Sequence, residues 1–217
     1  FDIDIARLQK ELDAKTKDLT KAAIALHKTR EAVRKPISKQ LVDDLTRLGI
    51  AHAQIDIAIT NTDDFTPLGK DDVQFMFAAN LNQSLRRVSE VASGGEISRI
   101  MLCIKALIAS KNGLPTIIFD EIDTGVSGEI ASQMGNIMQQ MAQSRQIIAI
   151  THLPQIAAKG DTQYLVYKAD TDTRTETHIR RLTEEERVNQ IATMLSGKHP
   201  TPAAMENARQ LLACTIQ

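Results

Sequence analysis

Hydrophobic positions in the first part of the chain follow a helical pattern. Between Ile5 and Val33 they alternate at spacings of three and four, which is the heptad pattern of a coiled-coil helix. The heptad positions are Ile5, Leu8, Leu12, Lys15, Leu19, Ala22, Leu26, Thr29 and Val33, and the polar Lys15 and Thr29 dilute one half of the seam. Pro36 removes a backbone donor and disfavours helix at the residue before it, so we expect a kink or break there. A second amphipathic helix then runs to Gly49, which is suited to a C-cap.

The heptad pattern favours a coiled-coil arm at the start of the chain. An amphipathic helix lying on a globular core is the alternative that the same pattern allows. After this helical region, apolar residues alternate over 53–60 and again over 72–78. The segment between them is rich in Asn, Asp, Pro and Gly, so we predict a β-hairpin with a long connection over 61–72. A polar loop is expected over 80–89.

The remaining part of the chain alternates between helices and strands. Apolar stripes predict one helix over 95–110 and a second after Gly128, and short apolar runs predict strands over 116–121 and 146–151. Strand, helix and strand in this order form a βαβ unit, whose two strands lie parallel in one sheet. An antiparallel pair of strands and two further helices follow, over 163–168, 177–182, 184–195 and 203–213. The predicted fold class is α/β with an N-terminal coiled-coil helix.

Composition and charge narrow the classes of function. A net charge of -1 provides no overall electrostatic footprint for nucleic acid, so any contact with DNA has to be local. Two cysteines, Cys103 and Cys214, lack both zinc spacing and the density of a disulfide scaffold, which fits a reducing cytoplasm. We find neither an apolar run of membrane-spanning length nor a signal peptide, so we expect no membrane partner. Because the first residue is Phe1, we expect a piece of a longer polypeptide.

Acidic side chains and a histidine follow the two strands of the predicted βαβ unit. Asp120 and Glu121 end the first apolar strand, and His152 follows the second. Ligands of open α/β sheets bind at the carboxyl ends of strands, so we expect one site that contains all three side chains. We assign Asp120 to binding Mg²⁺ through water and Glu121 to orienting or deprotonating an attacking water. His152 is expected to donate to a γ-phosphate or to that water.

A glycine pair precedes the first helix of this part of the chain. Ser93 and Glu96 have the spacing of a capping box, which by itself would explain both residues. A cap does not require Gly94 and Gly95, whereas an anion that approaches backbone N–H groups does need such glycines. The segment is therefore either a helix cap alone or a cap that also binds phosphate.

Four motifs in this order resemble the ATP-binding cassette heads of SMC-like ATPases, and most closely the C-terminal part of the RecN family. Residues 92–96 resemble the ABC signature, 117–121 the Walker B strand, 123–128 the D-loop and 151–155 the switch-histidine loop. The heptad helix is similar to the descending leg of the family's coiled coil. The sequence contains no G-x-x-x-x-G-K-[ST] phosphate loop, which in this family lies in the N-terminal half.

The resemblance implies the C-terminal lobe of an ABC-type P-loop ATPase head over 50–217, preceded by a coiled-coil arm and connecting helix over 1–49. It implies ATP and Mg²⁺ as cofactors and a role in DNA double-strand break repair and recombination in the bacterial cytoplasm, in association with the nucleoid. In such heads ATP lies between two molecules. The implied nucleotide-binding residues are Ser93, Gly94, Gly95, Glu96 and Asp123, the last acting across the interface.

The implied partners are the N-terminal half that carries the Walker A motif, a second head in a homodimer, and DNA through the full-length protein. This segment alone is expected to be inactive.

Two other functions stay open. One is the nucleotide-binding domain of an ABC transporter, which would have a P-loop upstream in the same compact domain, where this chain has heptads. The other is a non-catalytic coiled-coil dimerisation module with a degenerate site.

Overall fold

The computed structural model describes residues 2–109, 114–170 and 174–213. The chain forms two compact units, one made of Phe1–Thr46 with Ile50–Ala92 and the other of Arg47–Gly49 with Ser93–Gln217. Residues 50–92, which the motif analysis grouped with the C-terminal lobe, thus lie in the first unit with the long helix. Cys103 is buried in the second unit, and Cys214 lies outside the described residues.

One continuous helix, α1 (Asp2–Arg47), forms the start of the chain. The predicted break at Pro36 is wrong, because the helix runs through that residue. A proline inside a helix costs about 3 kcal/mol. Contacts on both sides of it stabilise the helix: Arg34 forms an ion pair of 2.7 Å with Asp56, and Leu45 is fully buried.

A Schellman motif ends α1, which confirms Gly49 as the C-cap glycine. Gly49 has a φ of 82°, and the Ile50 N–H donates to the Leu45 carbonyl oxygen at 3.0 Å. Only glycine adopts this left-handed conformation without strain. A Cβ at this position would also lie 2.6 Å from Cδ1 of Ile130, so packing and backbone both require glycine here.

The first unit continues with an antiparallel hairpin, β1 (Gln54–Thr66) and β2 (Gly69–Ala78), followed by the short elements β3 (Arg86–Arg87) and α2 (Val88–Val91). The hairpin is confirmed, but the long connection predicted over 61–72 is wrong, because both strands continue through that segment to a short turn. Side-chain hydroxyls help to hold this polar part together. Thr62 donates to the Lys70 carbonyl at 3.0 Å, and Thr66 donates to the Gly69 carbonyl at 2.8 Å.

Ionic contacts attach the hairpin to α1 within the first unit. The Asp71 side chain is only 2% exposed; it accepts a hydrogen bond from Arg30 at 2.9 Å and lies 2.8 Å from His27 Nδ1. These two partners, Arg30 foremost, hold the pKa of Asp71 below its usual value, so the carboxylate stays charged at neutral pH. The Arg34–Asp56 ion pair adds a second attachment.

The apolar heptad positions of α1 remain exposed. Ile5, Leu8, Leu12, Leu19, Leu26 and Val33 are between 38% and 60% exposed. If the helix lay on a globular core, this apolar stripe would be buried. Its exposure among the described residues favours the coiled-coil arm over that alternative. The partner helix of the arm stays a prediction.

The second unit contains the predicted βαβ arrangement. Its elements are α3 (Gly94–Ala109), β4 (Thr116–Asp120), α4 (Gly128–Ala142), β5 (Gln146–Ile150), α5 (Pro154–Ala157), β6 (Tyr164–Asp170), β7 (Thr175–Arg181), α6 (Glu184–Ser196) and α7 (Pro202–Ala213). β4 and β5 are parallel, and β6 and β7 are antiparallel, as predicted. Within the described ranges, no helix combines the length and apolar character needed to cross a membrane.

The β4–β5 sheet is covered on one face only. Ile117 and Phe119 are buried, and Lys105 of α3 lies over the Phe119 ring with Nζ 5.0 Å from the ring centroid. On the other face, Ile118 lies opposite Ile148 in the strand register, and these residues are 57% and 42% exposed. An apolar face of this kind is typical of a surface that packs against further protein.

Candidate functional site

The tips of the two parallel strands lie at the same edge of the sheet. Asp120 is the register partner of Ile150, and the Glu121 N–H donates to the Ile150 carbonyl at 3.2 Å. Thr151 and His152 follow Ile150 directly. The structure therefore brings Asp120, Glu121 and His152 to one edge, and all three are exposed there. The predicted location at one sheet edge agrees with the structure, whereas a shared site and the chemical roles of these residues stay predictions.

Glu121 has a strained backbone at this edge. Its φ is 46°, and among the described residues it is the only one other than glycine with a positive φ. The Thr124 hydroxyl donates to the Glu121 carbonyl at 3.0 Å and helps to close the turn that imposes this conformation. Strain of this kind is concentrated at functional sites, where a side chain has to point in a fixed direction.

Replacing Glu121 by glycine is expected to raise the free energy of unfolding by about 0.5–1 kcal/mol. The left-handed conformation costs a non-glycine residue about 1–2 kcal/mol, and the larger backbone entropy of unfolded glycine offsets about 0.5–1 kcal/mol of that gain. Urea denaturation of the 217-residue chain, followed by circular dichroism, measures the difference. Glu121→Gln is the control because it keeps the Cβ atom and hence the strain. If the glycine variant proves no more stable than this control, the backbone at residue 121 is unstrained.

A buried carboxylate lies beneath the His152 loop. Asp123 is fully buried, and its Oδ2 accepts hydrogen bonds from the Thr151 hydroxyl and from the His152 N–H, the latter at 3.2 Å. Its Oδ1 lies 3.4 Å from His152 Nδ1, while the histidine side chain remains 68% exposed. The prediction that Asp123 acts across an interface needs correction, because its side chain is enclosed by donors of its own chain.

The turn after β4 packs against the start of α3. A Cβ on Gly95 would lie 3.3 Å from the Thr124 carbonyl oxygen, closer than most real Cβ contacts. Gly95 therefore has a packing role that requires no bound anion, which corrects the argument that both glycines call for one. A Cβ on Gly94 would meet no atom within 4 Å, so only Gly94 still supports an approaching anion. The signature segment and the strand-tip site are thus joined through Thr124.

Ser93 and Glu96 form the capping box that their spacing predicts. The Ser93 N–H donates to Glu96 Oε2 at 2.7 Å, and the Glu96 N–H donates to Ser93 Oγ at 3.4 Å. The cap accounts for both residues without a ligand. Ser93 is nevertheless exposed, so its hydroxyl is accessible to a second molecule.

Arg187 is a structurally important residue that the sequence analysis missed. It is 7% exposed, and its guanidinium donates to the carbonyls of Gly160 at 2.6 Å and Asp161 at 3.3 Å and to the Glu184 carboxylate at 2.9 Å. Gly160 and Asp161 follow α5, the helix after the His152 loop, so Arg187 ties α6 to that segment. One sequence signal was available: Arg187 lies four residues before the buried Ile191, on the apolar face of α6.

The described residues form no complete metal site by themselves. No group of three or more His, Cys, Asp or Glu side chains within those ranges is placed to hold an ion. Mg²⁺ is commonly bound by only one or two carboxylates together with waters and substrate phosphates. The exposed Asp120 at the strand tip fits that kind of site, in which phosphate oxygens supply further ligands.

No protein-family model matches the chain. Three curated relatives, each described as a DNA repair protein RecN, match it over 97% of its length. The identities are 38% over 210 residues with Deinococcus radiodurans, 35% over 212 with Vibrio cholerae and 33% over 226 with Bacillus subtilis. The chain covers 37%, 38% and 39% of these relatives, so it spans a little over a third of their length.

Solved structures show the same fold. The Smc head domain with a coiled coil and joint from Pyrococcus yayanosii matches 87% of this chain and 35% of that one, with a TM-score of 0.59 and 16% identity. The Smc head domain with an extended coiled coil from Pyrococcus furiosus, bound to the C-terminal domain of ScpA, matches 88% and 48%, with a TM-score of 0.52 and 17% identity. The predicted fold class, part of an ABC-type head with a coiled-coil helix, is confirmed.

Proposed function

Since the chain is related over 97% of its length to the RecN family of DNA repair proteins, we propose that it is the C-terminal lobe of an ATPase head acting in DNA double-strand break repair. The observation that carries this proposal is the parallel register of β4 and β5. It places the Asp120–Glu121 tip beside the His152 loop, while the signature segment packs on the turn that follows the same tip. The acidic strand tip and the His152 loop thus lie at one edge of one sheet, and the signature segment packs on the turn that follows this tip.

The proposed roles follow from exposure and chemistry at that edge. Asp120 would hold Mg²⁺ through water, and the ion would neutralise charge on the phosphates of ATP. Glu121, exposed at a position with a strained backbone, would orient or deprotonate the attacking water. His152 would contact that water or the γ-phosphate. Asp123 has no direct place in this set, because its carboxylate is buried.

The signature segment is proposed to contact the nucleotide of a second head. Ser93 is exposed at the start of α3, and Gly94 leaves space for an anion at the helix N-terminus, where backbone N–H groups favour negative charge. Gly95 and Glu96 would support this contact indirectly, Gly95 by packing on Thr124 and Glu96 by capping. A homodimer with ATP between its heads is therefore part of the proposal.

The uncovered apolar face of the β4–β5 sheet indicates that another part of the protein packs against it. Ile118, Ile148 and Ile150 are 57%, 42% and 53% exposed, whereas parallel sheets are normally covered on both faces. We propose that the part of the RecN proteins that carries the Walker A motif covers this face and completes the nucleotide site. The other partners, DNA and a second coiled-coil leg, belong to the full-length protein.

ATP hydrolysis with Mg²⁺ tests the proposed function. The chain alone is expected to show no turnover, and the chain extended by the Walker A part of a RecN relative is expected to hydrolyse ATP. Linear DNA added to the extended protein tests the connection with DNA ends. If the extended protein folds but neither binds nor hydrolyses Mg-ATP, the proposal is wrong, and the exposed heptad stripe of α1 then favours the non-catalytic dimerisation module.

A further inference from the structure

The buried carboxylate of Asp123 has one oxygen whose hydrogen bonding is incomplete. Oδ2 receives the Thr151 hydroxyl and the His152 N–H, whereas Oδ1 is buried and has no hydrogen-bond donor among the described residues. A buried acceptor without a donor costs about 1–3 kcal/mol. A side chain that donates an N–H hydrogen bond to Oδ1 would remove that cost. The residues around Oδ1 therefore indicate which side chain can be the donor.

His152 Nδ1 lies 3.4 Å from Oδ1, slightly longer than a good hydrogen bond. The main-chain N–H of the same residue already donates to Oδ2 of the same carboxylate. Both the backbone and the ring of His152 are therefore directed at Asp123, and a small rotation of the ring would bring Nδ1 into hydrogen-bond range. The ring itself is 68% exposed, so it can adjust without a steric obstacle.

We propose that Asp123 is a positioning residue, which binds the Nδ1 proton of His152 and turns Nε2 of the ring toward the reacting phosphate group. The catalytic effect in this inference rests on the proposed ATPase function. The Asp123–His152 contact itself does not depend on that function. A hydrogen bond at one ring nitrogen determines which nitrogen carries the proton. With Nδ1 protonated, Nε2 of a neutral ring is bare.

The proposed tautomer decides between the roles left open for His152. A bare Nε2 accepts a hydrogen bond from the attacking water, and it cannot donate to a γ-phosphate unless the ring takes up a second proton. The neutral ring therefore positions water, and only the charged ring donates to phosphate. Asp123 also holds the turn after β4 against the residue after β5, so the ring keeps its place relative to Glu121.

Nuclear magnetic resonance of the ring nitrogens tests the contact in the 217-residue chain without nucleotide. At about pH 8.5, roughly two units above the ordinary histidine pKa, the ¹⁵N shifts distinguish a protonated from a bare nitrogen. We expect His152 to carry its proton on Nδ1, unlike the exposed His199. Asp123→Asn should move that proton to Nε2, because the new amide can donate to Nδ1.

Asp71→Asn is the matched control, because Asp71 is the other enclosed carboxylate beside a histidine, 2.8 Å from His27 Nδ1. It should change the signals of His27 and leave those of His152 unaltered. A wild-type His152 with its proton on Nε2, or with the same shifts as His199, would overturn the proposal. The wild-type spectrum decides this even if Asp123→Asn does not fold.

Turnover of the extended protein separates positioning from a general structural effect. Asp123→Asn is expected to lower the rate about 10- to 100-fold, as loss of a supporting hydrogen bond does at other sites. In a His152→Ala background the same change should have no further effect, because Asp123 acts through that ring. Independent, additive losses would refute the proposed role. Absence of turnover in every variant would count against the ATPase function, and the ring-nitrogen result would stand separately.

Discussion

Glu121→Gln is expected to slow ATP hydrolysis by about 10²–10⁴-fold in the protein extended by the Walker A part of a RecN relative. Glutamine has nearly the same size and can still orient water, but it cannot accept the water's proton. The substitution retains the Cβ atom and the left-handed backbone at residue 121, so we attribute the loss to the missing proton acceptor. Nucleotide binding should persist, and ATP-bound dimers should accumulate in size-exclusion chromatography.

Glu185→Gln is the control for that measurement. Glu185 is exposed in the first turn of α6 and is not among the residues proposed for the site, so its substitution should leave turnover unchanged. Hydrolysis at the normal rate by the Glu121 variant would exclude Glu121 as the base. Loss of nucleotide binding in that variant would instead indicate that the carboxylate belongs to the binding site.

Arg187→Met is expected to lower the free energy of unfolding of the 217-residue chain by about 2–4 kcal/mol. Methionine is apolar and of similar length, so it preserves much of the packing around this nearly buried side chain. The carbonyls of the half-buried Gly160 and the exposed Asp161 lose a charged donor, and a hydrogen bond to a charged group contributes about 1.5–3 kcal/mol. Urea denaturation followed by circular dichroism measures the change.

Arg209→Met provides the comparison, because Arg209 forms an exposed ion pair of 3.4 Å with Glu206 on α7. Such surface pairs contribute about 0–1 kcal/mol, so this variant should unfold close to the wild type. Equal effects of the two substitutions would show that the contacts of Arg187 with the backbone add nothing to stability. The Arg187 effect should also appear as faster hydrogen exchange at residues 157–161, the segment after α5.

Much of the fold could be predicted from local patterns. Apolar runs predicted β4 and β5, and their order with a helix between them predicted parallel pairing, which in turn placed Asp120 near His152. The capping box at Ser93 and the glycine C-cap at Gly49 were predictable because each involves residues within one or two turns of a helix. Interactions between residues this close in the chain can be predicted from the spacing of residue types in the sequence.

Other features depend on contacts between distant segments. The continuity of α1 through Pro36 depends on ion pairs with a hairpin that follows much later, and composition could not reveal them. The polar stretch 61–72 forms strand because backbone ladders extend a hairpin even where side chains stay exposed. Composition alone suggested a loop there, since Asn, Asp, Pro and Gly disfavour strands on average.

The sequence by itself determined the helices and strands of the βαβ unit, the parallel order of its strands and the residue types at the strand tips, because hydrophobic periodicity and capping act over a few residues. Only the tertiary structure decided that Asp123 is buried beneath His152, that Gly95 packs closely against Thr124, and that Arg187 holds the segment after α5. These contacts join segments 26 to 29 residues apart, a separation that spacing within one helix or strand does not encode. The residue types of the candidate site could therefore be predicted from its motifs, whereas the contacts that support them could not.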